Sequence, residues 1–244
     1  MLNNRINKLG VLVIGSLLSS VVFSTNGDVR TGPATQYMVT VKQVELCTSS
    51  TCTTAHTLVT KTSGMDIASA AVGASVGSYA STMTMPPMGV TYSHMRTTID
   101  RTFTIKGYAL SAASGNYCYT DGSPGTKTAF AAGLHTTSAS TAASSATASA
   151  LELPNTTNVT LRYLGGTAPV PITYSSEISL SGDNMLFTKE LTTPYAYYGQ
   201  TPLIDISFAT STGVGSVEAQ GGDDTNGADC NLMPGEPSMT ITIK

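Results

Sequence analysis

Charge is what this chain of 244 residues has least of: Asp, Glu, Lys and Arg make up 11% of it, less than half the roughly 25% usual in soluble domains. Twelve basic residues stand against 15 acidic ones, a net charge of −3, and the cations form no stripe. No nucleic-acid partner is expected, because neutralising a phosphate backbone takes a concentrated positive surface. Nor would the chain seek an anionic membrane face, so membrane contact is expected only during export. Tryptophan is absent altogether, which weakens any case for a sugar-stacking platform.

The spacings that catalysis and metal binding need are missing too. His56, His94 and His135 stand dozens of residues apart and form no H-E-x-x-H pair. Asp66, Asp100, Glu152, Glu177, Asp183, Glu190 and Asp205 fall singly, so no carboxylate pair suited to glycoside hydrolysis can be nominated. Gly73-Ala74-Ser75-Val76-Gly77 matches the G-x-S-x-G elbow, and His135 follows with Asp100 or Asp121 between. That motif works where a strand–turn–helix lifts the serine above a parallel sheet. Here no strong strand precedes Ser75 and no helix-forming run follows, so the pentapeptide reads as a small-residue loop. No catalytic residue and no enzyme activity are expected.

The one long apolar run lies near the N-terminus. Arg5 and Lys8 precede Val11 to Ser24, and Val22-Phe23-Ser24 offers small residues where signal peptidase needs them; these are the regions of a secretory signal. As a helix the run would rise about 21 Å, short of the roughly 30 Å hydrocarbon core. A cleavable signal helix over residues 1–24 is therefore expected, not a membrane span. Lys8-Leu9-Gly10 loosely resembles a prepilin-type cleavage site, but Gly15 stands where such a site carries Glu. Loss of residues 1–24 would leave ten basic groups against 15 acidic.

In an exported chain the four cysteines read as two disulfides. Three connectivities are open; Cys47 with Cys52 and Cys118 with Cys230 is the expected pairing. The second would close a loop of over a hundred residues, worth about 4.7 kcal/mol in the chain-entropy model against less than about 3 for a short loop. Zinc is not expected, since Cys118 and Cys230 lack neighbouring ligands. Gly221 to Cys230 places Asp223, Asp224, Asn226 and Asp229 in a glycine-hinged loop. Those oxygens are the type Ca²⁺ prefers, though without EF-hand spacing; a solvated turn is the plainer reading. No other cofactor is indicated. Asn155-Thr-Thr157 and Asn158-Val-Thr160 fit N-glycosylation sequons.

What is abundant is β-branched and alternating. Tyr37, Val39 and Val41 alternate with polar residues, and the register then slips to Val44 and Leu46, as a bulge would cause. Met95, Thr97, Ile99, Arg101, Phe103 and Ile105 line one face of a long segment from Val90 to Lys106, and five shorter runs follow, the last through Met239, Ile241 and Ile243. Gly/Pro/Asp turns separate them. The expected fold is all-β: an antiparallel β-sandwich, Greek-key or jelly-roll-like, stapled by disulfides. Residues 25–35, with Val29 as their only sizeable apolar side chain, are expected as a flexible arm. Residues 36–244 are expected as one β-rich domain, with a Ser/Thr/Ala loop at 136–150.

Two functions fit. The first is an exported structural subunit of a cell-surface or extracellular assembly, such as a filament, pilus or surface layer. It would self-associate, because low charge reduces repulsion between identical neighbours and edge strands can pair. Donor-strand exchange is one route, with Tyr37, Val39 and Val41 as the assembly strand. The second is a secreted carbohydrate- or ligand-binding module using loop aromatics such as Tyr195, Tyr197 and Tyr198.

Overall fold

The computed structural model describes residues 29–69, 83–111, 115–157, 159–163, 166–170, 172–200, 202–217 and 230–243. The signal segment, Ser75 and the Asp223–Asp229 loop lie outside them. Seven strands come first: β1 (Val29–Gly32), β2 (Ala34–Cys47), β3 (Ala55–Asp66), β4 (Thr91–Asp100), β5 (Thr102–Leu110), β6 (Tyr117–Thr120) and β7 (Ala131–Thr136). One short helix, α1 (Ala139–Ser145), leads to β8 (Ser149–Glu152), β9 (Val159–Tyr163), β10 (Gly166–Val170) and β11 (Ile178–Ser181). β12 (Asn184–Ala196), β13 (Ile204–Ala209), β14 (Val214–Val217), β15 (Asn231–Pro234) and β16 (Ser238–Ile243) complete the order.

Twelve strands share one antiparallel sheet, while β9–β10 and β13–β16 form separate two-stranded ribbons. β2 organises the sheet because its alternation is strongest: Tyr37, Val39, Val41, Val44 and Leu46 are all buried. The slip in its pattern is a real irregularity of register, between Val41 and Gln43 against β4. Lys42, the extra residue, turns its ammonium to Asp100 and to Asn184 Oδ1, the latter at 2.8 Å. β3 pairs with β2 along one edge. β4 and β5 pair with β2 in succession.

The long segment anticipated from Val90 to Lys106 is thus two strands, and the break is Arg101. Its guanidinium, only 4% exposed, donates to the carbonyls of Leu153 and Gly182 and lies 3.8 Å from Glu152. Leu153 N in turn bonds the Arg101 carbonyl at 2.8 Å. A side chain that sits in the apolar row by count is therefore spent on backbone oxygens, as a buried charge must be.

From β5 the sheet runs through β6, β7, β15 and β14 to β1 and returns to its start. It closes because β1 continues through Pro33 into β2, whose Ala34 pairs with Gly107 of β5. Two glycines permit this seam. A Cβ at Gly32 would collide with the Tyr108 carbonyl, and one at Gly107 with the Pro33 carbonyl. Residues 29–35 are consequently not a free arm: β1 is laddered to β14 from Val29↔Val217 to Gly32↔Val214. Backbone pairing needs no large apolar side chain, which is why composition pointed the other way.

Cys118 of β6 bonds Cys230 at the entry to β15, and Cys47 bonds Cys52 across a tight turn. Cys52 adopts φ +51° there. The 136–150 stretch holds α1, capped by Ser138, and the start of β8; Ala142 and Ala146 are buried. Among the described residues no helix is long and apolar enough to cross a membrane. The main core joins β2, β3, β4, β5 and β12 to the β13–β16 ribbon through Met239, Ile241 and Ile243. A second cluster gathers Phe130, Val159, Val170, Ile172, Val217 and Met233.

Candidate functional site

Two features stand out among the described residues. The first is a cleft of about 760 Å³ between the β2–β3–β4–β12 face and the β13–β16 ribbon. Val39, Val41, Val44, Leu58, Met95 and Phe187 form its floor, and Ile204, Ile206, Phe208 and Met239 its opposite wall. Large side chains alternate inward from both layers, and the two-stranded ribbon is too narrow to cover the wider sheet. The volume falls within the range of small-molecule sites.

Three hydroxyls lining the cleft are turned to the protein itself. Tyr37 Oη donates to Gly235 O at 2.9 Å, Tyr174 Oη to Pro154 O at 2.8 Å and Ser175 Oγ to Glu236 Oε1 at 2.9 Å. Burial pushes the Tyr37 phenol far above its ordinary pKa, and the negative charge of Glu236 adds to this. Burial also raises Tyr174, with Arg101 partly offsetting it. Both phenols stay neutral at any physiological pH. The lining contains two carboxylates, Asp205 and Glu236, and no Lys, Arg or His among the described residues. Glu236 is exposed, as are Val29 and Leu203 beside it in the lining.

The second feature is a face of β5, β6 and β7. Tyr108 lies opposite Tyr119, Leu110 opposite Tyr117, and Tyr119 in turn opposite Leu134. Directly paired residues point to the same side of a sheet, so these five side chains share one surface. Leu110 and Leu134 are 41% and 48% exposed, and Tyr108 packs edge-on against Tyr117 with centroids 5.8 Å apart. None of the five is charged, and none lines the cleft.

The residues singled out in the sequence are dispersed. The four cysteines are all in disulfides. Tyr37, Val39 and Val41 lie in the middle of the sheet, with β3 on one side of β2 and β4 and β5 on the other. A donor role in a neighbouring subunit would require pulling β2 out of both ladders. The Ca²⁺ candidates Asp223, Asp224, Asn226 and Asp229 fall outside the described residues, as do Ser75 and Asn158. Among the described residues no three His, Cys, Asp or Glu side chains gather as a metal site. His135 pairs across from Cys118, and its Nδ1 is buried without a hydrogen-bond partner. His94 bonds Ser93 Oγ at 2.8 Å, and His56 reaches the Thr84 carbonyl. Asn155 accepts from Arg101 at 3.4 Å. Tyr195 is half-buried opposite Tyr92, while Tyr198 is 80% exposed.

Sequence reading passed over the Tyr108–Tyr117–Tyr119 group. Its signal was present in the Tyr-x-Tyr run at residues 117–119, but the partners are set by register. No family model matches the chain, and no characterised protein or solved structure is significantly similar to it.

Proposed function

We propose that the protein is an exported structural subunit that self-associates at a cell surface or in an extracellular assembly. The observation that carries this reading is the uncharged face of Tyr108, Leu110, Tyr117, Tyr119 and Leu134. Tyrosine-rich, charge-depleted patches are what the buried centres of protein interfaces are made of. Identical copies of a chain with so few charges repel one another weakly at such a face. Two disulfides, one of them spanning 112 residues, fit an oxidising compartment, and the N-terminal apolar segment supplies the export route. In this reading the sheet and the β13–β16 ribbon act as the two layers of a sandwich-like body. Association through this face leaves β2 in its own sheet, so no strand need be exchanged.

The test is sedimentation of the mature protein across a concentration series, with negative-stain microscopy of the largest species. Leu134→Lys and Leu110→Lys should shift it to monomer while leaving its circular dichroism and melting temperature unchanged. Assembly that proceeds undiminished in both variants would show that this face is not the contact. The cleft favours a second reading, an exported ligand-binding module. The two readings are compatible because they use different residues.

A further inference from the structure

We propose that Lys42 and Asn184 join through an intramolecular amide bond, which the protein forms on itself with Asp100 as the catalytic carboxylate and ammonia as the leaving group. The inference uses neither the Tyr/Leu face nor the cleft, and it goes beyond self-association.

Three neighbouring strands bring the groups together. β4 lies between β2 and β12 in the sheet. Asp100 of β4 stands directly opposite Asn184 of β12. Lys42 is the residue left over where the β2–β4 register shifts between Val41 and Gln43, and a bulge of this kind re-aims a side chain. Its long stem reaches over β4, so that Nζ donates to Asp100 Oδ1 and, at 2.8 Å, to Asn184 Oδ1. An amine, a carboxylate and a carboxamide thus meet at one point, although Lys42 and Asn184 are 142 residues apart in the chain.

Their arrangement decides the chemistry. Asn184 Cγ is a single C=O bond, about 1.2 Å, from the oxygen that Nζ touches, which puts the carbon near attack distance. Asp100 touches the attacking nitrogen and faces Asn184. From there a general base can take a proton and return it as an acid. The step balances within the protein. Nζ bonds to Cγ, the Cγ–Nδ2 bond breaks, and protons given up by Nζ pass through Asp100 to Nδ2, which leaves as ammonia. The Lys42 and Asp100 side chains are each 33% exposed, so ammonia has a way out to solvent. The Lys189–Glu177 pair makes the contrast: there the ammonium meets both oxygens of a carboxylate, and an ionised carboxylate offers no leaving group. The amide ties β2 to β12 across β4 and, unlike the two disulfides, survives reduction.

Peptide mapping of the reduced and alkylated mature protein is the test. Trypsin should fail to cut after Lys42 and should release residues 31–61 joined to residues 163–189. The joined species should be lighter than its two peptides together by one ammonia, with fragment ions locating the branch at Lys42 and Asn184. On a reducing, denaturing gel the wild type should run ahead of Lys42→Arg, which cannot form the bond. In freshly expressed Asp100→Asn the linked fraction should fall by about tenfold or more, the least that loss of a general acid–base group should bring. Wild-type peptides recovered separately, with cleavage after Lys42, would overturn the proposal whether or not either variant folds. So would a branch from Lys42 to Asp100 with loss of water, or undiminished linkage in Asp100→Asn. Because Leu110 and Leu134 are untouched, sedimentation of the same proteins shows separately whether self-association stands or falls.

Discussion

At the scale of single residues, the informative side chains are polar groups placed where the apolar pattern would put something else. Arg101 occupies a core position by count and holds together the end of β4, the start of β5, Leu153 and the Gly182 turn. Arg101→Met should fill much of the volume but strip the carbonyls of Leu153 and Gly182 of the guanidinium's donors and leave Glu152 with Lys127 alone. A loss of about 3 kcal/mol is expected in urea titration; a change below about 0.5 would mean water replaces the guanidinium freely. Tyr37→Phe removes one buried hydrogen bond and should cost about 1–2 kcal/mol. It also has a pH signature. The folded phenol's pKa is raised above the ordinary value of about 10, so the stability it contributes is complete below about pH 10 and is lost as the pH rises beyond that. Melting temperatures followed from pH 8 to 11 should fall more steeply for the wild type than for Tyr37→Phe.

At the scale of elements, the seam and the bridges decide whether the ring of strands holds. Gly107→Ala forces a methyl into the Pro33 carbonyl where β1 meets β5. With backbone as the obstacle, the strands must separate, so a cost of about 3 kcal/mol or more is expected, read as a lowered denaturation midpoint. The same substitution at Gly64, whose nearest neighbour to an added Cβ is 4.0 Å away, should be close to neutral. The two disulfides should differ in the same assay. Serine replacement of Cys118 and Cys230 opens the loop of 112 residues and should cost the larger amount, approaching about 4.7 kcal/mol. Replacement of Cys47 and Cys52 should cost less than about 3. Equal losses would indicate that unfolded-state structure, and not loop length, sets their contribution.

At the scale of the whole molecule, the features with functional weight are surfaces that several elements build together. The Tyr/Leu face needs β5, β6 and β7 in one register, and a one-residue slip of any of the three would turn that strand's share of the five side chains to the other side. The cleft needs a wide sheet facing a narrow ribbon. What the sequence alone determined is local. Tyr37, Val39 and Val41 announced a strand because successive side chains alternate in direction, and the slip at Lys42 announced the bulge for the same reason. Cys47 and Cys52 announced their own bridge by nearness. Cys118 and Cys230 could be paired once Cys47 and Cys52 were. Only the tertiary structure decided that residues 29–35 join a ladder, that Arg101 ends a strand, and that Tyr108, Tyr117 and Tyr119 share a face. The physical reason is that ladder hydrogen bonds come from the backbone, which is the same at every residue. Which strand lies beside which is chosen by the packing of the whole chain, through contacts such as the glycine seam at Gly32 and Gly107 that no stretch of sequence contains by itself.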